Sequence, residues 1–182
     1  MKIIDTTLAD AKIIKPKLWR DSRGWFYESW RLDKYKEAGI KADFVQDNMS
    51  KSTKGVLRGL HYQKPNTQAK LVSVIDGEIW DVIVDLRRSS PTFGKWEGFY
   101  LDGVEKTQLF VPQGFAHGFC VLSEICVFQY KCDDLYNPSA EHGIMWNDPK
   151  LAIPWPVAEP IISDKDARHP RFDELTKDEL FD

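Results

Sequence analysis

A histidine flanked by two cations, in a stretch that is predicted to form β-strands, is the first place in this chain where chemistry is indicated. His61 lies in the segment 55–63, Gly-Val-Leu-Arg-Gly-Leu-His-Tyr-Gln, in which two glycines interrupt an apolar run. Arg58 precedes the histidine by three residues and Lys70 follows it by nine. A neutral imidazole accepts protons and cations hold negative charge, so the group suits an anionic substrate that must lose a proton.

The alternation of a β-strand decides which of these side chains can meet, because residues two apart share a face. A barrel whose interior holds His61, Lys70 and Tyr130 would form an aromatic-lined pocket with converging polar groups, as small-molecule sites do. Arg58 has the wrong parity relative to His61. Either a bulge at Gly59 corrects the parity, or Arg58 is a surface cation.

Composition bounds the class of protein. A chain of 182 residues with 42% hydrophobic residues predicts one packed domain over 1–182. The 25 basic and 28 acidic residues give a net charge of −3, which argues against nucleic-acid binding but allows a local pocket for a phosphorylated small molecule. No apolar run is long enough for a signal peptide or a membrane span, so we expect a soluble cytoplasmic protein and no membrane partner.

Short strands dominate the pattern, and turn-forming residues separate them. An Asp76-Gly77 link between two apolar runs predicts a tight hairpin with a type I′ turn. A short helix is expected over 32–38, and an irregular, proline-rich cover follows Tyr136 and ends in a small helix over 172–180. This pattern predicts an all-β sandwich or barrel. The predicted strands are 11–14, 17–19, 25–30, 44–50, 55–63, 71–75, 78–86, 94–101, 108–112, 118–122 and 126–131.

Cysteine and histidine usage argues against disulfides and metals. The three cysteines form no CxxC pair, and we expect them to be small buried residues. Two runs, Gly55-x5-His61-x-Gln63 and the segment 112–117 ending in His117, resemble the two cupin motifs. Metal-binding cupins carry a second histidine where Gln63 stands and an acid in the interval that holds Lys70. We therefore expect no metal.

Further runs extend the resemblance to nearly the whole chain, which is similar to the dTDP-4-dehydrorhamnose 3,5-epimerase family of cupin-fold nucleotide-sugar epimerases. The runs span residues 20–168 in order. They are Asp21-Ser22-Arg23-Gly24-x-Phe26-x-Glu28, Gln46-Asp47-Asn48, the segment 55–61, Gln68-Ala69-Lys70-Leu71-Val72, the segments 89–94 and 112–119, Tyr130-Lys131-Cys132, Trp146-Asn147-Asp148-Pro149, Ile153-x-Trp155-Pro156 and Ser163-x-Lys165-Asp166.

The resemblance implies a jelly-roll cupin barrel, a homodimer and a cofactor-independent isomerase of dTDP-rhamnose biosynthesis. Its reaction would convert dTDP-4-dehydro-6-deoxy-glucose to dTDP-4-dehydro-rhamnose at C3 and C5. The residues support such chemistry independently, since inversion next to a ketone needs a base, an acid on the other face and a cation or donor for the enolate.

Roles for individual residues follow from the resemblance together with side-chain chemistry. His61 would be the base with Asp166 as its orienting carboxylate, Tyr130 the acid, and Lys70 the cation for the enolate oxygen. Arg23 and Arg58 would bind the diphosphate. The remaining predicted substrate-binding residues are Phe26, Glu28, Gln46, Asp47, Asn48, His117, Phe119, Tyr136, Glu141 and Lys165.

Alternatives remain open at this point. Tyr136 is a second phenol six residues after Tyr130, so either tyrosine could be the acid. An epimerase that inverts only C3 or C5, or a ketoisomerase for another deoxysugar, would differ in the pocket wall and keep the same base. A metal-dependent cupin oxygenase is disfavoured by Gln63 and Lys70, and a non-catalytic sugar-binding cupin by the joint presence of His61 and Tyr130.

Overall fold

The computed structural model describes residues 1–182 and is built almost entirely of antiparallel strands. The elements in chain order are β1 (Lys2–Asp5), β2 (Lys12–Lys15), β3 (Trp19–Asp21), β4 (Gly24–Phe26), α1 (Leu32–Glu37), β5 (Gln46–Thr53), β6 (Leu57–Gln63), β7 (Lys70–Asp76), β8 (Glu78–Asp85), β9 (Trp96–Asp102), β10 (Gln108–Val111), β11 (Phe115–Val121), β12 (Ile125–Cys132) and β13 (Glu141–Gly143). Three single-turn 3₁₀ helices lie at Pro138–Ala140, Asp166–Arg168 and Phe172–Glu174.

Two sheets form the body of the protein, and every strand pair is antiparallel. The first sheet has the order β1-β2-β10-β7-β12-β5, and the second has the order β13-β6-β11-β8-β9. Strands β3 and β4 pair only with each other, as a separate hairpin. Apolar side chains of both sheets, among them Val72, Ile83, Phe119 and Phe128, form one buried core between them. The predicted all-β architecture is confirmed.

The predicted hairpin at Asp76-Gly77 is wrong. Strand β7 pairs with β10 and β12, whereas β8 pairs with β9 and β11, so this link carries the chain from one sheet to the other. Gly77 has a φ of +88°, and a Cβ there would lie 2.3 Å from the carbonyl oxygen of Ile125. The two-residue link is therefore a corner between the two sheets. Glycine is needed at position 77 because its φ is positive and because the backbone at the start of β12 leaves no room for a side chain.

The outer face of the second sheet lies under the irregular C-terminal segment, as predicted. Trp80 packs edge-on against Trp155, with ring centroids 5.3 Å apart. The indole N–H of Trp96 donates to the carbonyl of Leu151 at 2.7 Å. This cover brings the C-terminal residues back to strand β6.

The helix predicted over 172–180 does not form. Only the 3₁₀ turn Phe172–Glu174 is present, and the hydrogen bonds that follow are of the i→i+3 type, such as Glu179 to Thr176. Asp148 accepts a bond from the Phe172 amide at 2.7 Å, which ties the segment to the cover. Tertiary contacts of this kind thus determine the local structure, since a segment this short gains little from helix formation alone.

Two smaller predictions agree with the structure. The short helix appears as α1, and Gly39 beyond its end adopts a φ of +85°. The three cysteines are buried and free. No helix of the protein is long and apolar enough to cross a lipid bilayer.

Candidate active site

One large cavity opens between the two sheets and has a volume of about 830 Å³. This volume lies in the range of small-molecule sites. Both sheets and the C-terminal cover line the cavity. Of the predicted site residues, those that line it are Gln46, Asn48, Arg58, His61, Lys70, His117, Phe119, Tyr130, Tyr136, Glu141, Lys165 and Asp166.

A bulge in strand β6 brings Arg58 and His61 onto the same face. His61 pairs with His117 on β11, and Arg58 pairs with Phe119, so three steps on β6 match two steps on β11. Gly59, at the bulge, has a φ of +115°, and a Cβ there would lie 2.6 Å from the Cα of Gly118. Because of this bulge, the side chain of Arg58 faces the cavity, although it lies an odd number of positions from His61 in sequence.

His61 is held by Asp166, which the C-terminal cover delivers from more than a hundred residues away. The two side chains meet with 2.7 Å between Nε2 of His61 and Oδ1 of Asp166. The amide of Gly59 donates to Oδ2 of the same carboxylate at 3.3 Å. The Asp166 amide in turn donates to Oγ of Ser163 at 3.1 Å, which fixes the start of the 3₁₀ turn.

Electrostatics decide which of the two groups, His61 or Asp166, holds the proton between them. Burial lowers the pKa of His61 below its ordinary value of 6.5, and the hydrogen bond to Asp166 offsets only part of that effect. Burial by itself raises the pKa of Asp166, but the imidazoles of His169 and His61 facing the carboxylate outweigh it and hold that pKa far below the usual range. At pH 7 an ionised Asp166 therefore accepts the Nε2–H of a neutral His61, and Nδ1 of His61 is the unprotonated nitrogen.

Lys70 is a cation that burial has made easier to deprotonate. It lies at the start of β7, is 9% exposed and has no carboxylate within ion-pair distance. Burial lowers the pKa of its ammonium group, while the charges of Cys132, Asp81 and Glu141 act in the opposite direction. An unpaired, poorly solvated cation at a cavity wall is suited to bind an oxygen anion.

His117 contacts the buried carboxylate of Asp81, which the sequence analysis did not identify. Nε2 of His117 lies 2.8 Å from Oδ2 and 3.0 Å from Oδ1. Asp81 is fully buried in β8, and burial raises its pKa. An acid between Trp80 and Val82, in the apolar interior of β8, was the available signal, since buried carboxylates are rarely without a partner.

The two candidate tyrosines differ in their surroundings. The hydroxyl of Tyr130 has no hydrogen-bond partner in the protein, and burial raises its pKa to about 12. Tyr136 is 51% exposed, and its hydroxyl donates to Glu141 at 2.7 Å. Because strand β12 ends at Cys132, strand parity does not extend to Tyr136.

Polar side chains form the rim of the cavity through bonds with one another. Nε2 of Gln46 donates to Oδ1 of Asn48 at 2.9 Å, and Oε1 of Gln46 accepts the amide of Tyr136 at 2.8 Å. Lys165 pairs with Glu141 at 2.6 Å. These contacts hold the rim in place ahead of any ligand.

Four predicted site residues lie outside the cavity. Asp47 faces the opposite side of β5 from its neighbours and pairs with Lys131 at 2.8 Å. Arg23 is exposed on the β3–β4 hairpin and pairs with Asp21 at 2.6 Å. Phe26 ends that hairpin and is 64% exposed. Glu28 follows it and pairs with Lys34 and Arg31.

A second histidine beside Asp166 was also missed. Nε2 of His169 lies 3.5 Å from Oδ1 of Asp166. The donor and acceptor atoms of His61, Asp166 and His169 fall within 4.8 Å of one another, a spacing that metal ligands share. The near oxygen of Asp166 already accepts the proton of His61, so this arrangement fits a hydrogen-bonded group. That no metal is needed stays a prediction.

Comparisons with known sequences and with solved structures point to the same protein family. The sequence matches the family described as dTDP-4-dehydrorhamnose 3,5-epimerase over residues 5–174. It is 52% identical over 174 residues to the dTDP-4-dehydrorhamnose 3,5-epimerase of Shigella flexneri, with 94% of this chain and 96% of that protein covered.

Solved structures are similar over nearly the whole length. The dTDP-6-deoxy-D-glucose-3,5-epimerase of Legionella pneumophila Philadelphia 1, in complex with dTDP-4-keto-L-rhamnose, is 50% identical with a TM-score of 0.96, covering 99% of this chain and 97% of that one. The dTDP-4-dehydrorhamnose 3,5-epimerase of Bacillus anthracis str. Ames, with TDP and PPi bound, is 48% identical with a TM-score of 0.91, covering 93% and 98%. These similarities confirm the predicted cupin-type fold.

Proposed function

The chain belongs to the dTDP-4-dehydrorhamnose 3,5-epimerase family, and from this premise we propose how its cavity inverts C3 and C5 of dTDP-4-dehydro-6-deoxy-glucose. It is an isomerase, and its relatives support this substrate over a related ketosugar that is inverted at one centre. The observation that carries the proposal is the single cavity that contains the His61–Asp166 pair, the unpaired Lys70 and the free hydroxyl of Tyr130.

His61 is the base in this proposal. A C–H bond next to the C4 ketone can be broken because the resulting anion delocalises onto the ketone oxygen. Nδ1 of His61 has no hydrogen-bond partner in the protein and is unprotonated at pH 7, so it can take this proton. Asp166 holds the ring and stabilises the imidazolium that forms.

Lys70 stabilises the enolate. The negative charge that develops on O4 needs a donor already in place, and such groups act most strongly where water is excluded. Lys70 has no competing carboxylate within ion-pair distance and lies in the cavity wall. Its ammonium group is therefore free to bind O4 when the charge appears.

Tyr130 is the acid that completes inversion. It lies on β12 of the first sheet, whereas His61 lies on β6 of the second, so the two approach a ligand between the sheets from different sides. With a pKa of about 12, the phenol keeps its proton until a base as strong as an enolate is formed. Its donor is not engaged elsewhere, in contrast to that of Tyr136.

The nucleotide end of the substrate binds beside Arg58. Its guanidinium donates to Oγ of Ser52 at 3.1 and 3.2 Å, which orients the group without neutralising it. A planar cation of this kind suits diphosphate oxygens. Gln46, Asn48 and Lys165 at the rim, and Phe119 in the wall, provide the remaining polar and stacking contacts.

In this proposal a homodimer accounts for three of the four predicted residues outside the cavity. The β3–β4 hairpin exposes Trp19, Trp25 and Phe26 together with Arg23, although it pairs with no strand of either sheet. Exposed aromatic clusters of this kind mark interfaces. We infer that the hairpin packs on a second copy and brings Arg23, Phe26 and Glu28 to the partner's cavity. Asp47 has no place in this proposal because it faces away.

Incubation with dTDP-4-dehydro-6-deoxy-glucose in D₂O tests the function directly. Each inversion exchanges one carbon-bound hydrogen for deuterium, so mass spectrometry counts the centres that react. We expect two deuteriums in the product. A product with one deuterium would identify a single-centre epimerase, and a substrate without deuterium would reject epimerisation.

A further inference from the structure

His169 is a buried imidazole to which the mechanism above assigns no role. Its side chain is 11% exposed, and its Nε2 is buried without a hydrogen-bond partner closer than the 3.5 Å contact with Oδ1 of Asp166. A buried donor or acceptor that stays unpaired is destabilising, so an unused nitrogen at this position requires an explanation.

The backbone of Gly143 allows the ring of His169 to lie close to His61, the proposed base. Gly143 on β13 pairs with His61 on β6, and a Cβ at Gly143 would lie 2.4 Å from Cε1 of His169. The imidazole therefore lies against Gly143, a cross-strand partner of His61 that has no side chain. Its ring meets that of His61 edge-on, with the centroids 5.5 Å apart.

Two features of the chain hold this position. His169 ends the 3₁₀ turn Asp166–Arg168, so it lies three residues after the carboxylate that it faces. Pro170 follows and restricts His169 to extended backbone, in agreement with its φ of −63° and ψ of 148°. The side chain is therefore directed back towards Asp166.

We propose that His169 is a positioning residue that donates from Nε2 to Asp166, shares that carboxylate with His61 and thereby keeps His61 neutral and ready to accept a proton. This inference rests on the proposed epimerisation. A carboxylate that accepts a second donor stabilises the imidazolium of His61 less strongly, because part of its charge is already satisfied.

Other groups near His61 do not duplicate this effect. The charged and titratable groups that face it or share its cavity are Arg58 on β6, Lys70 on β7, His117 on β11, Tyr130 on β12, Tyr136, Glu141 on β13, and Lys165, Asp166 and His169 on the cover. Lys70 acts on His61 through its charge alone, and His117 is engaged with Asp81. Besides His61 itself, His169 is the member of this set whose side chain contacts the Asp166 carboxylate.

Three variants separate donation from packing. His169→Leu keeps apolar bulk and removes the donor, whereas His169→Gln keeps an N–H near the position of Nε2. Gly143→Ala leaves His169 intact and displaces its ring through the new Cβ. The backbone of Gly143 is extended, so this substitution adds no backbone strain.

The first measurement is independent of activity. The chain has four histidines, so His61 can be followed by NMR in histidine-labelled protein and assigned with His61→Asn. We expect His61 to become protonated at higher pH in His169→Leu and in Gly143→Ala than in the wild type, and His169→Gln to titrate close to the wild type. Identical titration in wild type and His169→Leu, or a Gln variant that follows Leu, would overturn the proposal.

The second measurement connects the shift to the reaction. The rate of deuterium uptake into the substrate should fall on the acid side of the profile as His61 gains its proton. There we expect His169→Leu to be slower than wild type by roughly two- to tenfold, the factor that one hydrogen bond supplies, with a smaller difference on the plateau. A uniform loss at all pH values contradicts the inference. Absence of uptake by the wild type would instead reject the epimerase function, and the NMR titration would still decide the role of His169.

Discussion

At the scale of single residues, the chemistry depends on which of two close groups carries charge at pH 7. His61 and Asp166 are 2.7 Å apart, yet burial favours a neutral imidazole while hydrogen bonds favour an ionised carboxylate. In the proposed mechanism the two groups therefore act as one unit, because the carboxylate fixes the proton on Nε2 and leaves Nδ1 of His61 free to accept one.

This coupling predicts strongly non-additive losses. We expect His61→Ala to reduce turnover by ~10²–10⁴-fold, as the loss of a general base does, and Asp166→Ala to reduce it substantially. The double variant should be little worse than His61→Ala, because Asp166 acts through His61. Steady-state rates of the three proteins measure this. Losses that multiply would show that the two residues act independently, and a His61→Ala rate within a few-fold of wild type would remove His61 as the base.

The sequence predicts the site residues that project from predicted strands into the cavity. It does not predict the residues that contact and orient them. His61, Lys70 and Tyr130 follow from alternation together with side-chain chemistry. Asp166 came only from family resemblance, because nothing local places a residue 105 positions away beside a histidine. Asp81 and His169 were missed because their roles depend on three-dimensional contacts between elements that are distant in sequence.

At the scale of elements, the bulge in β6 brings His61, the proposed base, onto the same face as Arg58, the proposed diphosphate-binding cation. It depends on the close approach of two backbones, since Gly59 and Gly118 leave no room for a side chain. The alternation of side chains along a strand could not by itself decide whether Arg58 faces the cavity or the surface. The same limit explains the error at Asp76-Gly77, where turn chemistry is equally compatible with a hairpin and with a corner between sheets.

Gly59→Ala should therefore be far more harmful than a glycine substitution elsewhere in the same segment. An added Cβ would lie 2.6 Å from the Cα of Gly118 and meet a φ of +115°, so we expect a loss of about 1–3 kcal/mol in the free energy of unfolding and weaker dTDP binding. Gly55→Ala is the matched control, because its φ is also positive at +80° but its Cβ would meet only Val157 at 4.0 Å. Denaturant unfolding and dTDP titration of both variants measure this, and equal losses would contradict the explanation.

At the scale of the whole molecule, the proposed homodimer links the exposed β3–β4 hairpin to activity. Its aromatic residues and Arg23 contribute nothing to the cavity of their own chain. If a second copy covers the hairpin, one subunit supplies the chemistry of a site and the other supplies part of its substrate binding.

Mixed dimers test this division. His61→Ala and Arg23→Ala should each be impaired alone. Randomly paired together, they should recover about a quarter of wild-type activity, since half of the dimers are mixed and each of these has one intact site. The control pair is His61→Ala with Tyr130→Phe, both in the cavity of one chain, and this pair should not recover. A mixture of the first pair that stays inactive would place Arg23 in its own subunit's site or outside any site.

The division of labour between base and acid is the central claim, and solvent exchange by Tyr130→Phe tests it most directly. This variant keeps the aromatic ring and removes only the donor, so His61 should still exchange substrate hydrogen for deuterium while epimerised product falls by ~10²–10⁴-fold. Tyr136→Phe, which removes the bond to Glu141 at the rim, should cost much less. The account predicts exchange without inversion in Tyr130→Phe. Epimerisation at the wild-type rate in Tyr130→Phe, together with its loss in Tyr136→Phe, would contradict it.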